Sequence, residues 1–206
     1  MKTPHRHVYL ASRSLRRREL LKQIGVGFEV LLLREAPGRS ADLDESAQAG
    51  EDPLAYVQRV ARAKAELAWM RLMQRRLRRH PVVTADTTVA VDGDILGKPA
   101  DAAEAARFLR CLSGRAHVVH TAVAVVLDGR VDLLVSTSEV HFRALDDAEI
   151  EHYVATHEPM DKAGGYAIQG RAALFVRHLA GSYSGVMGLP LFETAELLAR
   201  CGHRVL

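Results

Sequence analysis

The sequence predicts an α/β or α+β domain around a mixed sheet, and three observations carry that prediction. Short apolar runs of strand length, such as Val8 to Ala11 and Val82 to Ala85, are separated by longer segments whose apolar residues recur at helical spacing. Asp92-Gly93 and Asp128-Gly129 lie between extended runs, where hairpin turns favour such pairs. Strands and helices also mix irregularly, which argues against a regularly repeating βα barrel.

Val8 to Ala11 reads as a short buried strand. Ser12 or Ser14 can then cap a helix whose stripe is Leu15, Leu20, Leu21 and Ile24, stopped at Gly25. Arg16, Arg17 and Arg18 occupy the first turn of that helix, where cations oppose the macrodipole. Free N–H groups, capping serines and arginines together make an anion site, and phosphate is the sharper reading of this start.

Gly27 to Leu33 reads as a second strand, and Arg34 to Asp52 as a polar loop long enough to be functional. Pro53 fits the first position of a long helix running to about Arg79. Its tail, Arg71 to His80, holds five arginines and reads as a solvated helix end. Val82 to Ala85 is a buried strand delivering Asp86 at its C-terminal end, and Thr88 to Val91 continues extended into the Asp92-Gly93 turn. Asp101 to Leu112 reads as a helix, and His117 to Leu127 with Val131 to Phe142 as a long antiparallel pair. Asp146 and Glu149 form a capping box for a helix reaching about His157. Gly164-Gly165 and Gly170 bracket a tight segment, Tyr166 to Gln169. Ala172 to Leu179 reads as a strand, and Gly188-Leu189-Pro190 leads into a last helix from Leu191 to about Arg200.

The 206 residues are 48% hydrophobic and 26% charged, an ordinary balance for a globular protein. With 28 Lys plus Arg against 25 Asp plus Glu, the net charge of +3 does not call for a nucleic-acid partner. Cys111 and Cys201 are far apart, with no spacing that suggests zinc or a disulfide scaffold, and read as reduced thiols. No signal-peptide core or spanning apolar run is evident, so the expectation is a cytoplasmic protein with no membrane association.

Asp86, followed by Thr87 and Thr88, can ligate a divalent metal or take a proton from water. Lys98, held between Gly97 and Pro99, projects one cation from a restricted corner. Together with Arg16 and Arg17 these residues give cations for a polyphosphate and a carboxylate for water or metal. His117 and His120 are three apart, hence on opposite faces of a strand, and read as ordinary strand residues. Neither a dinucleotide-binding Gly-x-Gly-x-x-Gly nor a P-loop is present.

Six blocks in order resemble the Maf family: Leu10 to Leu21, Ala85-Asp-Thr-Thr-Val89, Gly97-Lys-Pro99, Leu112-Ser-Gly-Arg115, Glu158 to Gly170 and Gly188-Leu-Pro190. The resemblance implies one α/β domain over residues 1–206: a mixed twisted sheet with flanking helices, in two lobes around a cleft. It also implies a nucleoside triphosphate pyrophosphatase, assisted by a divalent metal (Mg²⁺ or Mn²⁺) and usually a homodimer. An older association is with inhibition of septum formation, which leaves a non-catalytic nucleotide-sensing regulator as an alternative.

Carried onto this sequence, the resemblance makes Asp86 the catalytic and metal-binding carboxylate. Ser12, Arg16, Arg17, Lys64, Thr87, Lys98, Lys162 and Gln169 become the substrate contacts. Leu15 stands where the family usually has Pro. The family's acidic residue after the second strand has four contenders here, Glu35, Asp42, Asp44 and Glu45, and Glu35 is nearest in position. Asp161 to Gln169 looks like the branch acting on dTTP and UTP; the branch acting on 7-methyl-GTP tends to have Glu where Gln169 stands. Chemistry agrees with that division, because an amide can both donate to and accept from a uracil edge. Gln169, between a buried Ile168 and Gly170, is expected to have a held side chain.

Overall fold

The computed structural model describes residues 7–33 and 43–205. Among these residues seven strands form one mixed sheet: β1 (Val8–Leu10), β2 (Phe28–Val30), β3 (Val82–Val91), β4 (Asp94–Leu96), β5 (Ala116–Leu127), β6 (Arg130–Phe142) and β7 (Val176–Ala180). Their order is β2-β1-β3-β5-β6-β7, with β4 also paired to β3. β1 runs parallel to β2 and β3, and every other pairing is antiparallel. The helices are α1 (Leu15–Gln23), α2 (Pro53–Gln74), α3 (Ala102–Leu112), α4 (Asp147–Val154), α5 (Tyr183–Met187) and α6 (Leu191–Arg200). This is the predicted α/β class, with helices on both faces.

The long strand β3 organises everything else. Its period of two sends Val82 toward α2, where Ala65, Ala68 and Leu72 cover it, and Val83 and Ala85 toward α1 and α6, against Leu21, Leu197 and Leu198. Farther along, Val89 and Val91 enter a third cluster with Phe108, Leu109 and Ile150 from α3 and α4. Burying a leucine or valine side chain contributes about 1.5–3 kcal/mol, so these clusters fix the helices to their faces.

β1 pairs with β3 only as far as Val83, whereas β4 begins pairing at Val89. On that edge of β3, Thr84 to Thr88 therefore have no strand beside them among the described residues. The opening leaves a cleft in the sheet, and Asp86 lies in it. The sequence placed Asp86 at a strand end. It is instead mid-strand, because β5 pairs continuously with β3 from Val82 to Ala90 and holds both halves in register.

The turns follow their residues. Asp92 and Gly93, and likewise Asp128 and Gly129, all have positive φ, the conformation of tight hairpins. Asp146 and Glu149 form the predicted capping box of α4. Several boundaries differ from expectation. β2 is shorter than Gly27 to Leu33. α2 stops at Gln74, because Arg76 turns left-handed at φ 51° and the Leu77 N–H closes onto the Leu72 carbonyl. Similarly, α4 ends at Val154, before a left-handed His157. Ala172 to Leu179 is not one strand: Arg171–Leu174 form a 3-10 turn and the strand begins at Val176. The Glu158 carboxylate takes the Arg171 N–H, which diverts that backbone from the sheet.

Candidate active site

Alternation along β3 decides what each site residue meets. Asp86 shares its face with Val82 and Thr84 and so points toward α2. Lys64 lies on the sheet-facing stripe of α2 with Ala61, Ala65 and Ala68, all fully buried. Its ammonium donates to Asp86 Oδ1 at 2.7 Å and to Glu45 Oε2 at 2.7 Å. One cation thus joins two carboxylates from different elements. Asp86 is 8% exposed, and a carboxylate so buried calls for a partner, which Lys64 provides.

Thr87 faces the opposite way, toward α1. Its hydroxyl bonds Thr121 Oγ1 at 3.0 Å and accepts from Arg17 Nη2 at 3.3 Å. Arg17 also donates to the Gly188 carbonyl at 2.7 Å and to Ser12 Oγ at 3.4 Å. Burial pushes its guanidinium down from the ordinary value, opposed by the charge of Asp86. Arg17 therefore ties the start of α1 to the turn before α6. Ser14 is the helix cap, accepting from the Arg17 N–H, and Ser12 accepts from Ser14 N in turn.

The remaining cations come from three elements. Arg16 lies 3.7 Å from Asp161 and is partly exposed. Lys98, exposed on the corner after β4, has no ion-pair or hydrogen-bond partner among the described residues. Lys162 donates to the Glu158 carbonyl at 2.6 Å and contacts the Asp161 carboxylate. The corner carrying Lys98 is fixed by a bond from Gly164 N to the Gly97 carbonyl at 3.0 Å.

All nine of Ser12, Arg16, Arg17, Lys64, Asp86, Thr87, Lys98, Lys162 and Gln169 line a single cleft of about 1440 Å³. Gln169 is exposed there and makes no hydrogen bond among the described residues, so its side chain is not held as the sequence reading expected. Glu35 lies outside the described residues, as does Asp42. Of the two described contenders, Glu45 accepts from Lys64, which also binds Asp86, while Asp44 caps its own turn at Ser46 N.

Two further bonds hold Glu45 in place. The Tyr56 hydroxyl donates to the Glu45 carbonyl at 2.9 Å, and Arg59 Nη2 to the Ser46 carbonyl at 3.0 Å. In the sequence Glu45 stands close to Asp42 and Asp44 in the loop before α2, and no local signal separates it from them. Tyr166 was missed as a cleft residue; it lines the wall, with its hydroxyl 2.8 Å from His117 Nε2. His117 and His120 do face opposite ways, the latter bonding Thr137 at 2.9 Å.

Among the described residues no group of three His, Cys, Asp or Glu side chains could hold a metal, and Cys111 and Cys201 are not joined in a disulfide. No helix there is long and apolar enough to cross a membrane.

A Maf-like protein family profile matches residues 7–201. Among curated proteins, a dTTP/UTP pyrophosphatase of Dechloromonas aromatica is 55% identical over 199 residues, covering 97% of this chain and 99% of that protein. One of Aromatoleum aromaticum is 56% identical over 204 residues, covering 98% and 99%. A third, from Nitrosomonas europaea, is 53% identical over 195 residues, covering 95% and 94%. With a matching profile across almost its whole length and relatives at this identity, the chain belongs to the Maf family.

Proposed function

We propose that this protein hydrolyses dTTP and UTP to the nucleoside monophosphate and pyrophosphate. One observation carries the chemistry: Asp86, Glu45 and Lys64 meet at the opening in the sheet, in the same cleft as Arg16, Lys98 and Lys162. The names of the three full-length relatives support the base preference. Gln169 in this cleft fits it, since an amide matches the mixed donor and acceptor edge of uracil or thymine.

Asp86 is the group that takes the proton from the attacking water. The water oxygen forms a bond to the α-phosphorus, and the bond from that phosphorus to the bridging α–β oxygen breaks. Pyrophosphate departs with its charge held by Arg16, Lys98 and Lys162, cations that reach the cleft from three different elements. Lys64 keeps the two carboxylates together, and Arg17 holds the α1 N-terminus where its N–H groups face the phosphates.

The residues fit a divalent cation of the Mg²⁺ type, which takes one or two carboxylates and completes its shell with substrate phosphates and water. Asp86 and Glu45 would hold it; both oxygens already share one cation at 2.7 Å. Bound there, Mg²⁺ or Mn²⁺ would neutralise phosphate charge and polarise the phosphoryl oxygens. The same reading carries a cytoplasmic location and a homodimer.

Hydrolysis of UTP in ¹⁸O-water tests the bond assignment. The expected result is label in UMP with unlabelled pyrophosphate. Orthophosphate as the only product, or label in pyrophosphate alone, would overturn it. Asp86→Asn should lose turnover by about 10²–10⁴-fold, the range of general base catalysis, while nucleotide binding persists. A wild type that binds UTP without turning it over would favour the regulator.

A further inference from the structure

The Gln169 side chain lines the cleft with no hydrogen-bond partner among the described residues, yet the backbone that carries it is fixed on both sides. The Tyr153 hydroxyl accepts from the Ala167 N–H at 3.1 Å and donates to Glu158 Oε1 at 2.8 Å. The other oxygen, Glu158 Oε2, accepts from the Arg171 N–H at 3.2 Å. One carboxylate and one phenol therefore grip the chain two residues before Gln169 and two residues after it. Between these points Ile168 is buried, and Gly170 N closes onto the Ala167 carbonyl at 3.0 Å.

Two more features suit this arrangement. A Cβ at Gly170 would come within 2.4 Å of Glu158 Oε1, so the carboxylate packs against the glycine itself. Burial and the Glu158 carboxylate both push the Tyr153 hydroxyl above its ordinary pKa, which keeps it a donor. Neither Tyr153 nor Glu158 lines the cleft.

We propose that Tyr153 and Glu158 are positioning residues for base selection, acting only through the placement of Gln169. The inference rests on the reading of Gln169 as the group that meets the base. A side chain with no hydrogen bond of its own owes its placement to its backbone. Freeing Ala167 N and Arg171 N from their acceptors lets Gln169 meet a uracil and a cytosine edge less selectively.

The test is a double-mutant cycle read as selectivity, the ratio of kcat/KM for UTP to that for CTP. These substrates share ribose and triphosphate and differ only at the base edge, so a loss of stability or of phosphate contacts leaves the ratio alone. Tyr153→Phe keeps the ring that packs edge-on against Phe175 and removes the hydroxyl. The expected result is a fall of about ten-fold in the ratio, within what a misplaced binding group costs. In a Gln169→Ala background, where the ratio has already fallen, Tyr153→Phe should change it no further.

An unchanged ratio in Tyr153→Phe, or an equal fall in both backgrounds, overturns the positioning role while Gln169 still reads the base. If Gln169→Ala alone leaves the ratio unchanged, the base reading fails and the positioning role fails with it. Should Tyr153→Phe not fold, Glu158→Gln serves in the same cycle with the same outcomes, because its amide can place a donor against the Arg171 N–H.

Discussion

Replacing Lys64 by Met keeps a flexible stem of similar size on the sheet-facing side of α2 and removes the charge that joins Asp86 to Glu45. In the native site the ammonium lies 2.7 Å from each carboxylate, and its side chain is 15% exposed. Removing one partner of a buried ion pair typically costs about 3–5 kcal/mol, because the other charge remains without compensation. That figure applies in full only to Asp86, whose side chain is 11% exposed. Glu45 is 43% exposed and solvent screens it strongly, so the expected loss is ~2–3 kcal/mol. Urea denaturation near neutral pH measures it directly. A second arm adds millimolar Mg²⁺. Two carboxylates without their ammonium should attract the dication more strongly, so the variant should recover more stability than the wild type gains. A loss below ~0.5 kcal/mol, the scale of an ordinary surface change, with no extra response to Mg²⁺, would refute the idea that one charge couples the pair.

His117 supplies a pH prediction. Burial pushes it down from 6.5 to about 4, so the unfolded chain takes up its proton first as pH falls. The associated stability is complete above pH 6.5 and is lost between 6.5 and about 4, by ~3 kcal/mol at most. His117→Gln should show a shallower decline of unfolding free energy across that window, and parallel curves would contradict the assignment. Gly164→Ala places a Cβ 2.9 Å from the Val89 side chain at a φ of 69°. A destabilisation of ~1–3 kcal/mol is expected from that strain. A raised KM for UTP should accompany it, since Gly164 N anchors the corner bearing Lys98; an unchanged KM in a folded variant would remove the corner from substrate binding.

What the sequence revealed follows from which interactions are local. The Asp92-Gly93 hairpin and the Asp146 capping box depend on neighbours within a few residues, and each is legible. The opening beside Asp86 is not, because it depends on where β1 stops pairing and β4 starts, and pairing partners are a property of the whole sheet. α5 has five residues, too few for any helical period to show. The end of α2 was misread because a left-handed Arg76 carries no glycine to signal it. For the site, Asp86 and Lys98 stood out by type and position, whereas Glu45 could be chosen from its acidic neighbours only once α2 brought Lys64 to it.

The arginine run at the start of α1 shows how the fold redistributes what a sequence motif seems to offer. Three consecutive cations suggest a single anion-binding cluster. Arg17 instead directs its guanidinium to Gly188, Ser12 and Thr87, and Arg16 sits beside Asp161. The charge available to a triphosphate is therefore spread over α1, the corner after β4 and the turn containing Lys162. Cations on separate elements can contact successive phosphates of an extended chain, which a compact cluster on one helix turn cannot span. Arg17 then acts by fixing the relative position of two of the walls. A lysine in its place would keep the charge but lose the planar fork that meets several acceptors at once, so the run is better understood as one anchor, Arg17, flanked by a cation paired with Asp161.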